Sequence, residues 1–85
     1  MKQTAQEIYS AVADGRLKEP FTAAEIMTAC PSMNAGTAAT FPHKHSKDNS
    51  KSKETKWFKC SGSRGEHETI RPGWNEWIRI FPSHP

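Results

Sequence analysis

Apolar residues recur at helical spacing in the first third of the chain. Ala5, Ile8, Tyr9 and Val12 fall at i, i+3, i+4 and i+7, which predicts a helix from about Thr4 to Asp14, with Gly15 as its C-cap. A second helix, about Thr22 to Ala29, is expected to bury Ala23, Ile26, Met27 and Cys30 and to stop at Pro31. Phe21 precedes its first residue and is placed to staple onto Ile26. Thr4-Ala5-Gln6-Glu7 and Thr22-Ala23-Ala24-Glu25 both read as capping boxes, in which Thr accepts from the N–H three residues on and Glu reaches back. A third helix starts at Ser32 or Asn34, with Ala38 and Phe41 inward beside Ala35 or His45, and Thr37, Thr40, Lys44 and Lys47 outward. Pro42 either ends that helix near Phe41 or bends it.

The period then changes. Lys56–Cys60 alternates charged with large apolar residues apart from Trp57-Phe58, and Glu66–Arg71 alternates again. Between them Ser61-Gly62-Ser63-Arg64-Gly65 has the composition of a turn, which predicts a β-hairpin. On the second strand His67, Thr69 and Arg71 share one face, and Glu66, Glu68 and Ile70 the other. Pro72-Gly73 breaks it. The aromatic tail, residues 73–85, holds Trp74, Trp77, Ile80 and Phe81; its Trp77–Phe81 stretch reads as a third strand or an amphipathic turn over the core. Residues 46–55 contain no large apolar side chain and read as a flexible basic loop. The sum is one α+β domain spanning 1–85, with three helices followed by a hairpin, the layout of a winged helix-turn-helix.

Charge sharpens this picture. Residues 1–43 carry three cations against four anions, whereas residues 44–71 carry eight cations against four anions. A polyanion would be drawn to that second segment, although the same lysines also suit a solvated loop. With 34% hydrophobic residues in 85, the core is only a few side chains deep. Cys30 and Cys60 lack the spacing of a disulfide framework, and no apolar run marks a signal peptide or a membrane span. A cytoplasmic setting with free thiols is expected, Cys30 being a small core residue.

Asn34-Ala35-Gly36-Thr37, Phe41-Pro42-His43-Lys44-His45, Asn49, Trp57-Phe58 and Gly62-Ser63-Arg64-Gly65 together resemble a small winged-helix domain of uncharacterised bacterial and phage proteins, some of them restriction-associated. The resemblance covers roughly residues 22–70, and the Lys/Ser loop and Trp-rich tail depart from it. It implies DNA binding, with Asn34, Thr37, Thr40 and Lys44 on the helix that enters the major groove.

The residue chemistry suits that implication. Short polar side chains meet base edges and lysines meet phosphates. Lys44, Lys47 and Lys51 are expected phosphate contacts, and Arg64 at the wing tip enters a minor groove or clamps a phosphate. Asn34 suits a helix cap better than a base reader. A zinc site would have to draw on His43, His45, Cys60 and His67, but no ordinary ligand spacing links them, and His45 is better placed against Trp57. Glu66, His67 and Glu68 form no nuclease motif or triad, so no enzymatic role and no cofactor are expected. The expected role is a small transcriptional regulator or accessory DNA-binding protein; a homodimer is plausible, because one module covers little DNA. The alternative is a protein-binding module, such as a phage-encoded inhibitor, that uses Trp74, Trp77 and Phe81 as its contact surface.

Overall fold

Tyr9, Phe21, Phe58 and Trp77 are the largest fully buried side chains, and the fold is the way the chain gathers them. The computed structural model describes residues 1–62 and 65–82. Its elements are α1 (Gln3–Ala13), α2 (Ala23–Ala29), α3 (Ala35–Lys44), β1 (Phe58–Cys60), β2 (His67–Thr69) and α4 (Arg71–Ile80), an α+β arrangement.

α1 buries Ala5, Ile8, Tyr9 and Ala11, while Val12 is only half-buried at the core edge. The expected capping box at Thr4 does not form. The helix begins at Gln3 behind Lys2, with no side-chain cap, so Thr4 already lies in the first turn. That turn is closed instead by Gln6, whose backbone N–H donates to the Lys2 carbonyl and whose side chain donates to the Met1 carbonyl. At the other end Gly15 takes φ +81° and donates to Val12 O, and Arg16 N–H donates to Ala11 O. This is a Schellman turn, which needs a residue tolerant of positive φ.

The Thr22 box does form. Thr22 Oγ1 accepts from Glu25 N–H, and Glu25 Oε1 accepts from Thr22 N–H at 3.0 Å. α2 buries Ile26, Ala29 and Cys30, spaced i, i+3 and i+4; Met27, expected inside, is 39% exposed because it lies one helical step off that edge. Arg16 Nη1 donates to the Ala29 carbonyl at 2.8 Å, capping the negative end of α2. α3 is capped by Asn34, buries Ala38, Phe41 and Pro42, and runs through Pro42 to Lys44. Pro42 removes one N–H from the ladder, and the helix resumes with His45 N–H to Phe41 O at 3.0 Å.

The two strands are shorter than expected, three residues each, and pair antiparallel as Phe58↔Thr69, Lys59↔Glu68 and Cys60↔His67. Both outer edges are covered. Phe21 bridges antiparallel to His67 on one side, and Ser46 bridges parallel to Phe58 on the other. The first bridge ties the entrance of α2 to the hairpin; the second ties the exit of α3 to it. Among the described residues such covering shields both strand edges from pairing with another chain.

The C-terminal segment is neither a strand nor a single turn. It is a ten-residue helix, α4, opened by Pro72 in its first turn. Trp77 is 2% exposed and its indole N–H donates to Ser10 Oγ on α1. The Trp74 indole donates to Thr69 Oγ1 at 2.7 Å, and the Trp74 ring meets the Tyr9 ring edge-on at 4.7 Å. The Trp57 indole donates to Glu76 at 2.9 Å, and this bond, with the adjacent Met1 ammonium, holds the Glu76 carboxyl below its ordinary range, the ammonium acting first. Residues 46–55, expected as a flexible loop, wrap around the Lys56 ammonium, which donates to the carbonyls of Asn49 (2.9 Å) and Ser52 (2.7 Å). Lys56 is therefore engaged by its own loop.

Candidate nucleic-acid interface

α2 and α3 are consecutive helices joined by a turn through Met33. Met33 is buried and its N–H donates to Cys30 O at 3.0 Å, which fixes the turn. The outward side of α3 presents Ala35, Gly36, Ala39, Thr40, His43 and Lys44, all exposed. Two of the expected base-reading groups are tied to the helix itself. Asn34 Oδ1 accepts from Thr37 N–H at 2.7 Å, and Thr40 Oγ1 donates to Gly36 O at 2.8 Å. The Thr40 oxygen keeps lone pairs for an incoming donor. Thr37 is half-buried. What α3 offers is a face of small residues, which permits close approach and methyl–methyl contact, ending in a lysine.

Lys44, Lys47 and Lys51 are exposed, and among the described residues no carboxylate lies within ion-pair distance of them. Arg64 lies outside the described residues; Gly62 and Gly65 on either side take φ of +80° and +76°. Lys47 is held beside β1, its N–H donating to Phe58 O at 2.8 Å. There it lines a common hollow with two cations to which the sequence assigned no role: Lys59 on β1, and Arg71, expected at the end of the second strand but found as the first residue of α4. With Thr69, Ile70 and Pro72 they line a surface hollow of about 370 Å³. The alternation of β1, which turns Lys59 away from buried Phe58, was the available signal for one of them. Nothing local pointed to Arg71, because its position depends on where α4 begins.

The histidines and cysteines separate into two groups. His45 is fully buried, stacked on Trp57 at 4.8 Å and tilted against Phe41 at 4.2 Å, and its Nδ1 bonds the Thr55 carbonyl at 2.7 Å. Among the described residues its Nε2 is buried without a partner, and burial lowers the imidazole pKa. Cys60 and His67 face each other across the hairpin, Sγ to Nε2 3.8 Å, with Ser46 Oγ 3.6 Å from the sulfur. His67 Nδ1 bonds Gly65 O at 3.0 Å, and burial lowers this pKa also. The four ligands considered for zinc are thus not brought together: His45 is stacked on Trp57, while Cys60 and His67 pair across the hairpin. Among the described residues no three His, Cys, Asp or Glu converge as a metal site. Cys30 is buried, with its thiol pKa raised by burial and by Glu7.

Of the aromatic residues considered as a partner surface, Trp77 is buried, and Trp74 and Phe81 are partly buried against the core. The outward side of α4 shows Ile78 and Ile80 instead, 51% and 39% exposed. No described helix is long and apolar enough to cross a membrane. Compared with protein-family models, with curated proteins and with solved structures, the chain matches none.

Proposed function

We propose that this chain is a winged helix-turn-helix protein that binds duplex DNA, with α3 entering the major groove and the β1–β2 hairpin as the wing. One observation carries the reading: the exposed, small-residue face of α3 is followed, beyond the 46–55 loop, by a hairpin that is lashed to α2 through the Phe21–His67 bridge, so the hairpin is tied to the helices. The exposed cations on and after α3 supply the electrostatic attraction, and Ala39 and Thr40 the groove-facing surface. Asn34 and Thr37 serve the helix start, Lys44, Lys47 and Lys51 meet phosphates, and Arg64 acts from the wing. The role is that of a small bacterial or phage transcriptional regulator or accessory DNA-binding protein, working in the cytoplasm, where Cys30 and Cys60 stay free. Binding as a homodimer would double the DNA covered.

Fluorescence anisotropy with a random duplex of about 20 base pairs tests this at two salt concentrations. The expected result is binding that weakens steeply with salt, and loss of affinity when Lys44, Lys47 and Arg64 are replaced by Ala. No binding at low salt, or affinity unmoved by the triple substitution, overturns it. A protein-binding role is the second reading, favoured by exposed Ile78 and Ile80 on α4. Binding to a protein through that apolar face would be nearly insensitive to salt.

A further inference from the structure

We propose that the hollow bounded by Lys47, Lys59 and Arg71 is a separate seat for the phosphodiester backbone of the bound duplex, distinct from the α3 face. The inference rests on the duplex-binding reading and shares Lys47 with it; what it adds is Lys59 and Arg71, which that reading does not use.

Three remote segments build this hollow. Lys47 is placed by the parallel bridge that seats Ser46 against Phe58. Lys59 is the central residue of β1, and Arg71 is the first residue of α4. Among the described residues none of the three has a carboxylate within ion-pair distance; Glu68 faces Lys59 in the sheet register without pairing to it. Three of the cations elsewhere are engaged. Lys2 pairs with Glu54, Arg16 with Asp14 and the Ala29 carbonyl, and Lys56 with two loop carbonyls.

Gathering like charges around one depression raises the energy of the folded state, and an anion seated among them relieves it. The lining decides which anion. Apart from the cations it consists of Thr69, Ile70 and Pro72, with no aromatic ring on which a base or nucleoside would stack. Thr69 Oγ1 is engaged by Glu19 and the Trp74 indole, which leaves charge as the means of recognition. An open, cationic, ring-free hollow fits the sequence-independent part of DNA, its backbone.

The test compares two double variants of equal net charge by anisotropy on a random duplex over a salt series. Lys59→Ala/Arg71→Ala removes two of the hollow's cations; Lys18→Ala/Arg79→Ala removes two exposed cations elsewhere. The first pair is expected to weaken binding about tenfold at low salt and to lower the slope of log affinity against log salt by about 0.9 for each phosphate left without its cation. The second pair leaves the slope at the wild-type value. Thermal melts check that both fold; Lys18, Arg71 and Arg79 are exposed and Lys59 is half-buried. A wild-type slope in Lys59→Ala/Arg71→Ala overturns the hollow alone. Equal reductions of slope in the two pairs overturn it also, since net charge then explains the effect. Wild-type protein that binds no duplex at low salt removes the duplex reading and the hollow together.

Discussion

The Tyr9 hydroxyl occupies the space that a side chain at Gly73 would need. A Cβ built on Gly73 overlaps that oxygen and lies 2.5 Å from Tyr9 Cζ. The hydroxyl is fixed there because it donates to the Trp57 carbonyl and accepts from Ile70 N–H. α1, the entrance to β1 and the start of α4 thus meet at one oxygen. Burial pushes the phenol pKa well above its ordinary value.

Gly73→Ala is therefore expected to destabilise the fold by about 1–3 kcal/mol through overpacking. Tyr9→Phe removes the overlapping oxygen but keeps Cζ, so the cost of Gly73→Ala should shrink in that background without vanishing. Urea unfolding of the two single variants and the double variant measures the coupling. Strict additivity would show that the two residues do not share this space.

The two threonine boxes, alike in sequence, should respond differently to the same change. Thr22→Ala is expected to cost about 1 kcal/mol, because a formed cap is removed. Thr4→Ala is expected to stay within about 0.5 kcal/mol, as an ordinary change inside a helix. Chemical denaturation of each variant compares them. Equal costs would place a working cap at Thr4.

Stability should fall on mild acidification. Burial holds the His45 and His67 pKa values below the ordinary 6.5, so on acidification the unfolded chain takes up protons before the native state does. The contribution of each is complete above about 6.5 and declines as pH falls from there toward its lowered folded value. Lys2 and Lys44 add to the effect at His45, and His43 at His67, while Glu54 and Asp48 oppose it. Denaturation midpoints measured from about pH 8 to pH 5 should drop below about pH 6.5. A flat profile over that range, with both ring resonances titrating at ordinary values, would contradict the burial of these two rings.

Lys56→Met should loosen the basic loop without unfolding the domain. The ammonium holds two loop carbonyls, and the methionine stem keeps the packing while giving up both bonds. Trypsin cleavage at Lys51 and Lys53 should then speed up several-fold, since local opening controls access. Cleavage at the wild-type rate would mean that the loop is held by other bonds.

Much of the fold was legible along the chain. The Thr22 box, the Asn34 cap, the Gly15 terminus and the Gly-rich turn all depend on residues within a few positions of one another. The stacking of His45 on Trp57 also followed from patterning. Trp77–Phe81 was ambiguous because its alternation mimics a strand, while Trp74, Trp77 and Phe81 equally keep helical spacing. Burial of Trp77 against Ser10 on α1 resolved it, and that contact spans most of the chain.

The sequence by itself determined where the first three helices and the hairpin lie, and that positive charge gathers in residues 44–71. These are local and additive properties. Only the tertiary structure decided which of those charges are available, and where they meet. Lys56 is drawn into its own loop, whereas Lys47, Lys59 and Arg71 meet because Ser46 lies alongside Phe58 and α4 starts directly after β2. Register and docking bring distant segments to one place, and short-range patterns carry no record of them.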